Sequence, residues 1–182
     1  MPQKIATSYH LSVRATALVL LACAAASLAG CGGDFDRAQY LALNENYTVT
    51  IERDVRGVPH VIGLKDTDTA FGFAYAQAED NWPIMQETLA TNRGIRARTE
   101  GPDAAVTDFL IAWLGIWDTL ETAYDTELEQ RTRDYVEAFA DGINFYSATH
   151  PDETNLDLYP ISGKDIVAGY MFRHTMLSLI HI

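Results

Sequence analysis

Cysteine is scarce in this sequence, with two among 182 residues, Cys23 and Cys31. So few thiols exclude a disulfide framework and a cysteine-rich zinc site. Basic residues are also few, 13 Lys and Arg against 25 Asp and Glu, for a formal net charge of −12. A chain this acidic is repelled by phosphate backbones and by acidic lipid headgroups, so nucleic acid is excluded as a partner and charge alone does not hold the chain on a membrane. The longest uncharged apolar run, Ala15 to Gly30, has sixteen residues, short of the ~20 that a comfortable membrane span requires. There is no Gly-x-x-x-x-Gly-Lys phosphate loop and no Gly-x-Ser-x-Gly turn, and Ser147, Ser162 and Ser178 therefore lack the context of an exposed hydrolase nucleophile. His60, His150, His174 and His181 have no His or Cys neighbour at zinc-motif spacing and read as surface or structural residues.

What is present begins with an export signal. Lys4 and Arg14 make the extreme N-terminus positive, and the uncharged run that follows ends in small side chains, the architecture of a secretory signal. Leu28-Ala29-Gly30-Cys31 has the form of a bacterial lipobox, so residues 1–30 are expected to be a lipoprotein signal peptide and Cys31 the lipidated residue of the mature chain. A retained anchor helix and a cysteine placed by chance are the alternatives. Cys23 would leave with the signal, so no internal disulfide could form. The expected location is the cell envelope, lipid-anchored and facing the periplasm or on the outer membrane; Gly32, where an acidic residue would favour inner-membrane retention, points to the outer membrane.

Residues 31–43 are small and polar and read as a tether. The remaining length can bury one core. Tyr47 to Ile51 alternates as a half-buried strand, Arg53 to Gly57 supplies turn chemistry, and Val58 to Ile62 returns, a β-hairpin. Asp66, Thr67 or Asp68 can cap a helix whose Ala70, Phe71, Ala74, Tyr75 and Ala78 share one face. Pro83 is tolerated in a first turn, which places a break near Glu79 or Asp80 and a restart that runs to Arg93, where Gly94 stops it. Pro102 and Asp103 open a third helical segment with Val106, Phe109, Leu110, Trp113 and Trp117 on a stripe expected to be core. A helix from Glu127 to about His150 follows, with Glu127–Arg131 and Glu129–Arg133 as ion pairs one turn apart. Ser162 can cap a last helix from Gly163. Glu79 and Asp80, beside Gln77, form the densest polar group in an apolar helix. Neighbours ~100° apart on a helix make a poor acid/base dyad, so a capping role at the break is preferred. On these grounds the chain is a secreted helical domain with a hairpin, and no activity is visible.

Two blocks, Arg53-Asp54-Val55-Arg56-Gly57-Val58-Pro59-His60 and Phe71-Gly72-Phe73-Ala74-Tyr75-Ala76-Gln77-Ala78-Glu79-Asp80, resemble the opening of penicillin amidase family acylases. The stretch Tyr135 to Tyr146 (YVEAFADGINFY) resembles the family's long α-chain helix, and Tyr159-Pro160 through Asp165-Ile166-Val167-Ala168-Gly169 resembles the segment after it. The family belongs to the N-terminal nucleophile (Ntn) hydrolases, made as one precursor and cut into α and β chains. The resemblance implies an α+β fold class: the N-terminal, α-chain portion of an αββα sandwich, mainly helical with a short hairpin, incomplete over residues 44–176. It implies that the nucleophile is a serine at the start of the β chain, outside this sequence, with its own α-amino group as base; an amine with a reference pKa near ~8 can accept a proton near neutrality without a histidine. No catalytic or metal-binding residue is assigned here, and substrate-binding residues remain unassigned. The resemblance allows a structural calcium ion in the complete fold, although no acidic match follows Asp165. The implied partners are the chain's own β chain after autoproteolysis and a small acyl-amide substrate, such as a β-lactam or an N-acyl-homoserine lactone. Pro83 and Ile84 depart from the family pattern next to Met85, and Leu177 to Ile182 leave it altogether, so a truncated or spliced reading frame is expected there. A non-catalytic envelope lipoprotein with an acylase-like fold is the alternative.

Overall fold

The computed structural model describes residues 35–180; the signal, Cys31 and His181 lie outside them. The order of elements is α1 (Arg37–Leu41), β1 (Val49–Arg53), β2 (Pro59–Gly63), α2 (Asp66–Arg93), α3 (Ala97–Glu100), α4 (Ala105–Trp113), α5 (Ile116–Glu127), α6 (Gln130–Thr149) and α7 (Gly163–Ile180), with short 3-10 turns between several of them. This is a mainly helical unit with one antiparallel hairpin, β1 with β2, in which Ile51 faces Val61 and Val49 faces Gly63.

The long helix α2 is the axis of the structure. Asn81, with φ −158° and ψ 63°, breaks its regular geometry, and Pro83 sits two residues further on. A proline has no N–H to give to an interior turn but fits the first turn of a restarted helix, so the kink falls where Pro83 costs least. Gly94, at φ 66°, ends α2 in the left-handed conformation that a residue without Cβ adopts freely. The hairpin lies on the first half of α2 at Gly72, where a Cβ would collide with the side chains of Val49 and Val61.

Helix α6 crosses α2 so closely that a Cβ on Gly142 would run into the Phe71 carbonyl oxygen. Between them lies a core of Ala74, Ala78, Trp82, Leu89, Ala90, Ala140, Ile143, Tyr146, Leu158, Tyr159 and Ile161. Small alanines at the crossing allow the approach, and aromatic rings fill the wider ends, with Trp82 4.8 Å from Tyr146 and Tyr75 5.3 Å from Tyr146. A second cluster, Ile111, Ile116, Leu120, Tyr124, Val136 and Ala168, joins α4 and α5 to α6 and α7.

Several expectations are corrected. The strands begin at Val49 and Pro59, because Tyr47 leaves the sheet to stack on Phe71 at 4.3 Å and to donate to Asp141 at 2.6 Å. Lys65 is the residue that precedes α2, and Asp68, in the first turn, accepts its N–H at 3.1 Å and that of Thr48 at 3.2 Å. The third segment is two helices, since Gly115 at φ 62° re-aims the chain. Most of its stripe is not core: Val106, Phe109 and Trp113 are 68%, 64% and 70% exposed and Ile111 and Ile116 are buried instead, while Trp117 packs half-buried against the second core cluster. The long helix starts at Gln130 because Leu128 is extended at ψ 132°. Consequently Arg131 reaches back to Asp66 at 2.6 Å, and Arg133 donates to the Leu128 and Asp125 carbonyls, so neither pairs with a glutamate one turn away. Within the span read as a tether, residues from Phe35 onward are structured: Phe35 stacks on Tyr40, and Arg37 donates from Nε to the Ala148 carbonyl of α6 at 2.7 Å.

Candidate functional site

Among the described residues a groove of about 490 Å³ lies between α2, α6 and α7. Leu89 and Ile143, both buried, form its floor with the half-buried Met85, Phe139 and Ile166. Phe73, Ile84 and Tyr170 stand on its walls, 42%, 57% and 60% exposed. Gln77, Asp80, Asn81, Thr88, Asn92 and Arg173 supply the polar rim. The two helices can come this close because Gly169 on α7 faces Asn92 on α2, where a Cβ would collide with the amide.

The end of the groove is set by a polar lock. Asp165, in the first turn of α7, is 1% exposed; its Oδ2 accepts from Ser162 N and from Ser162 Oγ, both at 2.9 Å. Ser162 thus donates its hydroxyl to Asp165, where the sequence suggested Ser162 as the capping acceptor. Arg93, at the end of α2, donates to both Asp165 oxygens at 2.5 and 3.1 Å, and also to the Leu158 and Pro160 carbonyls at 2.6 and 2.7 Å. Asn144 on α6 holds the same loop from the other side: its Nδ2 donates to the Ile161 carbonyl at 2.7 Å, and its Oδ1 accepts the Ile161 N–H at 2.8 Å. Of these residues only Ser162 was given a role from the sequence; Arg93, Asn144 and Asp165 were not. A signal did exist for Asn144, a polar residue buried within the apolar face of Phe139, Ile143 and Tyr146.

Catalytic chemistry needs a nucleophile, a base within ~3 Å of it and a place for developing charge. The side chains present do other work. Ser147 is fully buried and donates to the Asn144 carbonyl at 2.7 Å. His150 lies flat on Tyr146 with centroids 4.0 Å apart, His60 is exposed on β2, and His174 sits edge-on to Tyr170. Glu79 and Asp80, the acidic pair at the kink, bind Arg53 of β1 at 3.0 and 2.7 Å and so tie the hairpin to α2. Burial pushes the Tyr47, Tyr124 and Tyr159 phenols upward, reinforced in the first two by hydrogen bonds to Asp141 and Glu137. All three are protonated at neutral pH, the reverse of an activated phenolate; Tyr47 and Tyr124 donate to Asp141 and Glu137, and the buried Tyr159 hydroxyl has no partner among the described residues. Burial also raises the Asp141 carboxyl, against the Tyr47 hydrogen bond that lowers it. No group of three His, Cys, Asp or Glu among the described residues is placed to hold a metal ion.

Residues 48–173 match the penicillin amidase family. The acyl-homoserine lactone acylase PvdQ of Pseudomonas savastanoi pv. phaseolicola is 29% identical over 114 residues, covering 57% of this chain and 15% of the relative. Aculeacin-A acylase of Actinoplanes utahensis is 32% identical over 105 residues, 54% of this chain and 12% of its own length. The chain therefore spans under a sixth of these curated relatives. Among solved structures, a thermostable penicillin G acylase from Alcaligenes faecalis superposes with a TM-score of 0.58 at 23% identity, covering 68% of this chain and 70% of that one; at this identity the likeness is one of fold. With the match spanning the hairpin, α2, the long α6 and the start of α7, the chain belongs to the penicillin amidase family, an Ntn-hydrolase acylase and amidase family.

Proposed function

We propose that this chain is the N-terminal, α-chain part of an exported acylase that hydrolyses a linear, non-peptide C–N amide bond, with a β-lactam side chain or an N-acyl-homoserine lactone as its substrate class. The observation that carries the reading is the family match over residues 48–173, together with acylases among its relatives. The geometry above supports it from the other side: the described residues build a rigid helical scaffold and hold no nucleophile–base pair. The attacking serine is then supplied by a separate β chain, released by autoproteolysis, whose own α-amino group takes the proton. Backbone N–H groups of that chain stabilise the oxyanion. Cys31 carries the lipid that keeps the enzyme in the cell envelope, where such amides are met outside the cytoplasm.

Coexpression of this chain with the segment encoded downstream, followed by assay of penicillin G and N-acyl-homoserine lactone hydrolysis, tests the reading. Activity is expected from the pair and none from this chain alone. Hydrolysis by residues 32–182 alone would contradict it. Mass spectrometry of the mature N-terminus addresses Cys31: a diacylglyceryl adduct is expected, and an unmodified thiol or an uncleaved signal rejects the anchor.

A further inference from the structure

We infer that the end of the molecule formed by Phe35, Leu156 and the tip of the β1–β2 hairpin is its membrane-facing surface, with Val55 and Leu156 entering the headgroup layer of a phospholipid bilayer. The inference rests on the lipidation of Cys31 proposed above and adds to it the face that the anchor selects. Gly32, Gly33 and Asp34 separate Cys31 from Phe35, the first described residue. Four residues of fully extended chain span at most ~14 Å. A lipid on Cys31 therefore brings the bilayer to the surroundings of Phe35 and to no distant part of the chain.

A chain of contacts defines those surroundings. The Phe35 ring meets Tyr159 edge-on at 5.9 Å, and Arg37 donates to the Ala148 carbonyl, at the C-terminal end of α6, at 2.7 Å. Leu156 is exposed on the same loop, three residues before Tyr159. Tyr159 stacks in turn on Trp82 at 5.9 Å. Glu79 and Asp80, just before Trp82 at the α2 kink, hold Arg53 at 3.0 and 2.7 Å, and Arg53 donates to the Gly57 carbonyl at 2.9 Å. The turn that carries the wholly exposed Val55, with Val58 beside it, thus belongs to the end from which the tether leaves.

Other exposed apolar groups lie elsewhere. Ile62 and Leu64 sit at the far end of the hairpin, next to Asp66, which binds Arg131 at 2.6 Å. Arg131 and Ala148 are ~25 Å apart along α6, beyond the reach of the tether. Phe139 and Ile143 line the groove from α6, and each is two residues, or ~200° of helix, from Asp141, which receives Tyr47 of the N-terminal arm. The groove therefore opens away from the bilayer. The α4 ridge of Val106, Phe109 and Trp113 also points away from α2, since Ile111, on the opposite side of that helix, is the residue packed at Gly94. Exposed Asp36, Asp152, Glu153 and Asp157 flank Phe35 and Leu156 in the chain. Attraction to anionic lipid is thereby excluded as the source of the contact: the anchor supplies attachment, and the apolar side chains set orientation.

The test is fluorescence quenching on the full-length lipidated protein in phosphatidylcholine vesicles that contain a lipid with a nitroxide at its headgroup. One fluorophore is placed on Val55→Cys or Leu156→Cys, and on Leu64→Cys or Phe109→Cys for comparison; lipidation consumes the Cys31 thiol, so the label goes to the introduced cysteine. Should Leu156→Cys fail to fold, the exposed Asp157→Cys takes its place. Quenching at positions 55 and 156 is expected to exceed that at 64 and 109 by at least about threefold, as for side chains that lie in the headgroup layer. Equal quenching at all four positions, or the strongest at 64 or 109, overturns the assignment. Probes at 55 and 156 that are shielded from soluble iodide yet unaffected by the nitroxide lipid would mean that protein covers this end, which also overturns it. Mass spectrometry of the same preparation separates the two levels. An unmodified Cys31 rejects the anchor and the seat together, whereas a lipidated Cys31 with the wrong face quenched rejects the seat alone.

Discussion

Arg93 and Asp165 stand 72 positions apart in the chain, and the guanidinium of one grips both oxygens of the other, at 2.5 and 3.1 Å, closing the end of α2 onto the start of α7. Planar guanidinium and carboxylate match as a two-toothed fork, and Arg93 has donors to spare for two loop carbonyls. Removing the carboxylate strands a charge that is only 23% exposed. Asp165→Ala is expected to cost on the order of 3 kcal/mol in urea unfolding. Arg93→Lys keeps the charge but loses the fork and should cost about 1–2 kcal/mol. A loss below about 1 kcal/mol for Asp165→Ala would show that the lock contributes little.

Asn144 is 2% exposed and satisfies both backbone groups of Ile161. In Asn144→Ala those groups lose their partners inside the core, at ~1–3 kcal/mol for each group left unsatisfied. A drop of about 2–4 kcal/mol is expected, with near-ultraviolet circular dichroism reporting loosened packing around Tyr159. Wild-type stability in the variant would mean that the loop finds other partners.

Gly142→Ala sets two effects against each other. Helix propensity favours Ala over Gly by up to ~1 kcal/mol in the interior of a helix. At the α2–α6 crossing, however, the new methyl would meet the Phe71 carbonyl, a backbone atom that cannot swing aside. Overpacking at ~1–3 kcal/mol should win, giving a net loss in thermal melts; a gain would show that the crossing is looser than described.

Asp141→Asn is predicted to act through pH. Burial raises the Asp141 carboxyl above its ordinary 3.8, so the folded chain binds that proton more tightly than the unfolded chain does. The stability it contributes is present below about pH 3.8 and is lost as pH rises through the higher folded value. Asparagine mimics the neutral form and still accepts from Tyr47. The variant should therefore gain in melting temperature relative to wild type between pH 3.5 and pH 7. A difference that is flat with pH, or that runs the other way, would refute the assignment.

Much of the architecture was legible in local chemistry. Gly94 ending α2, the break before Pro83 and the hairpin around Asp54-Val55-Arg56-Gly57 each follow from the backbone limits of one or two residues, which act wherever the chain places them. The α4 stripe was misread because periodicity reports which residues share a face, and burial depends on whether another element covers that face. Tyr47 was assigned to a strand because its alternation with Val49 and Ile51 is local, whereas the Phe71 ring and the Asp141 carboxylate that draw it away arrive from other elements. The lock of Arg93, Asn144 and Asp165 escaped notice for the same reason, since each residue is unremarkable beside its sequence neighbours.

By itself the sequence determined the family, because the blocks around Phe71 to Asp80 and Tyr135 to Tyr146 are long and ordered, and it determined the helical class, because turn and cap residues act over a few bonds. The tertiary structure alone decided which apolar faces are covered, which charges are paired and where a groove remains open. Those properties depend on atoms brought together from 65 to 111 positions apart, as in the contacts of Arg131 with Asp66 and Arg37 with Ala148, and no local pattern encodes the distance between them.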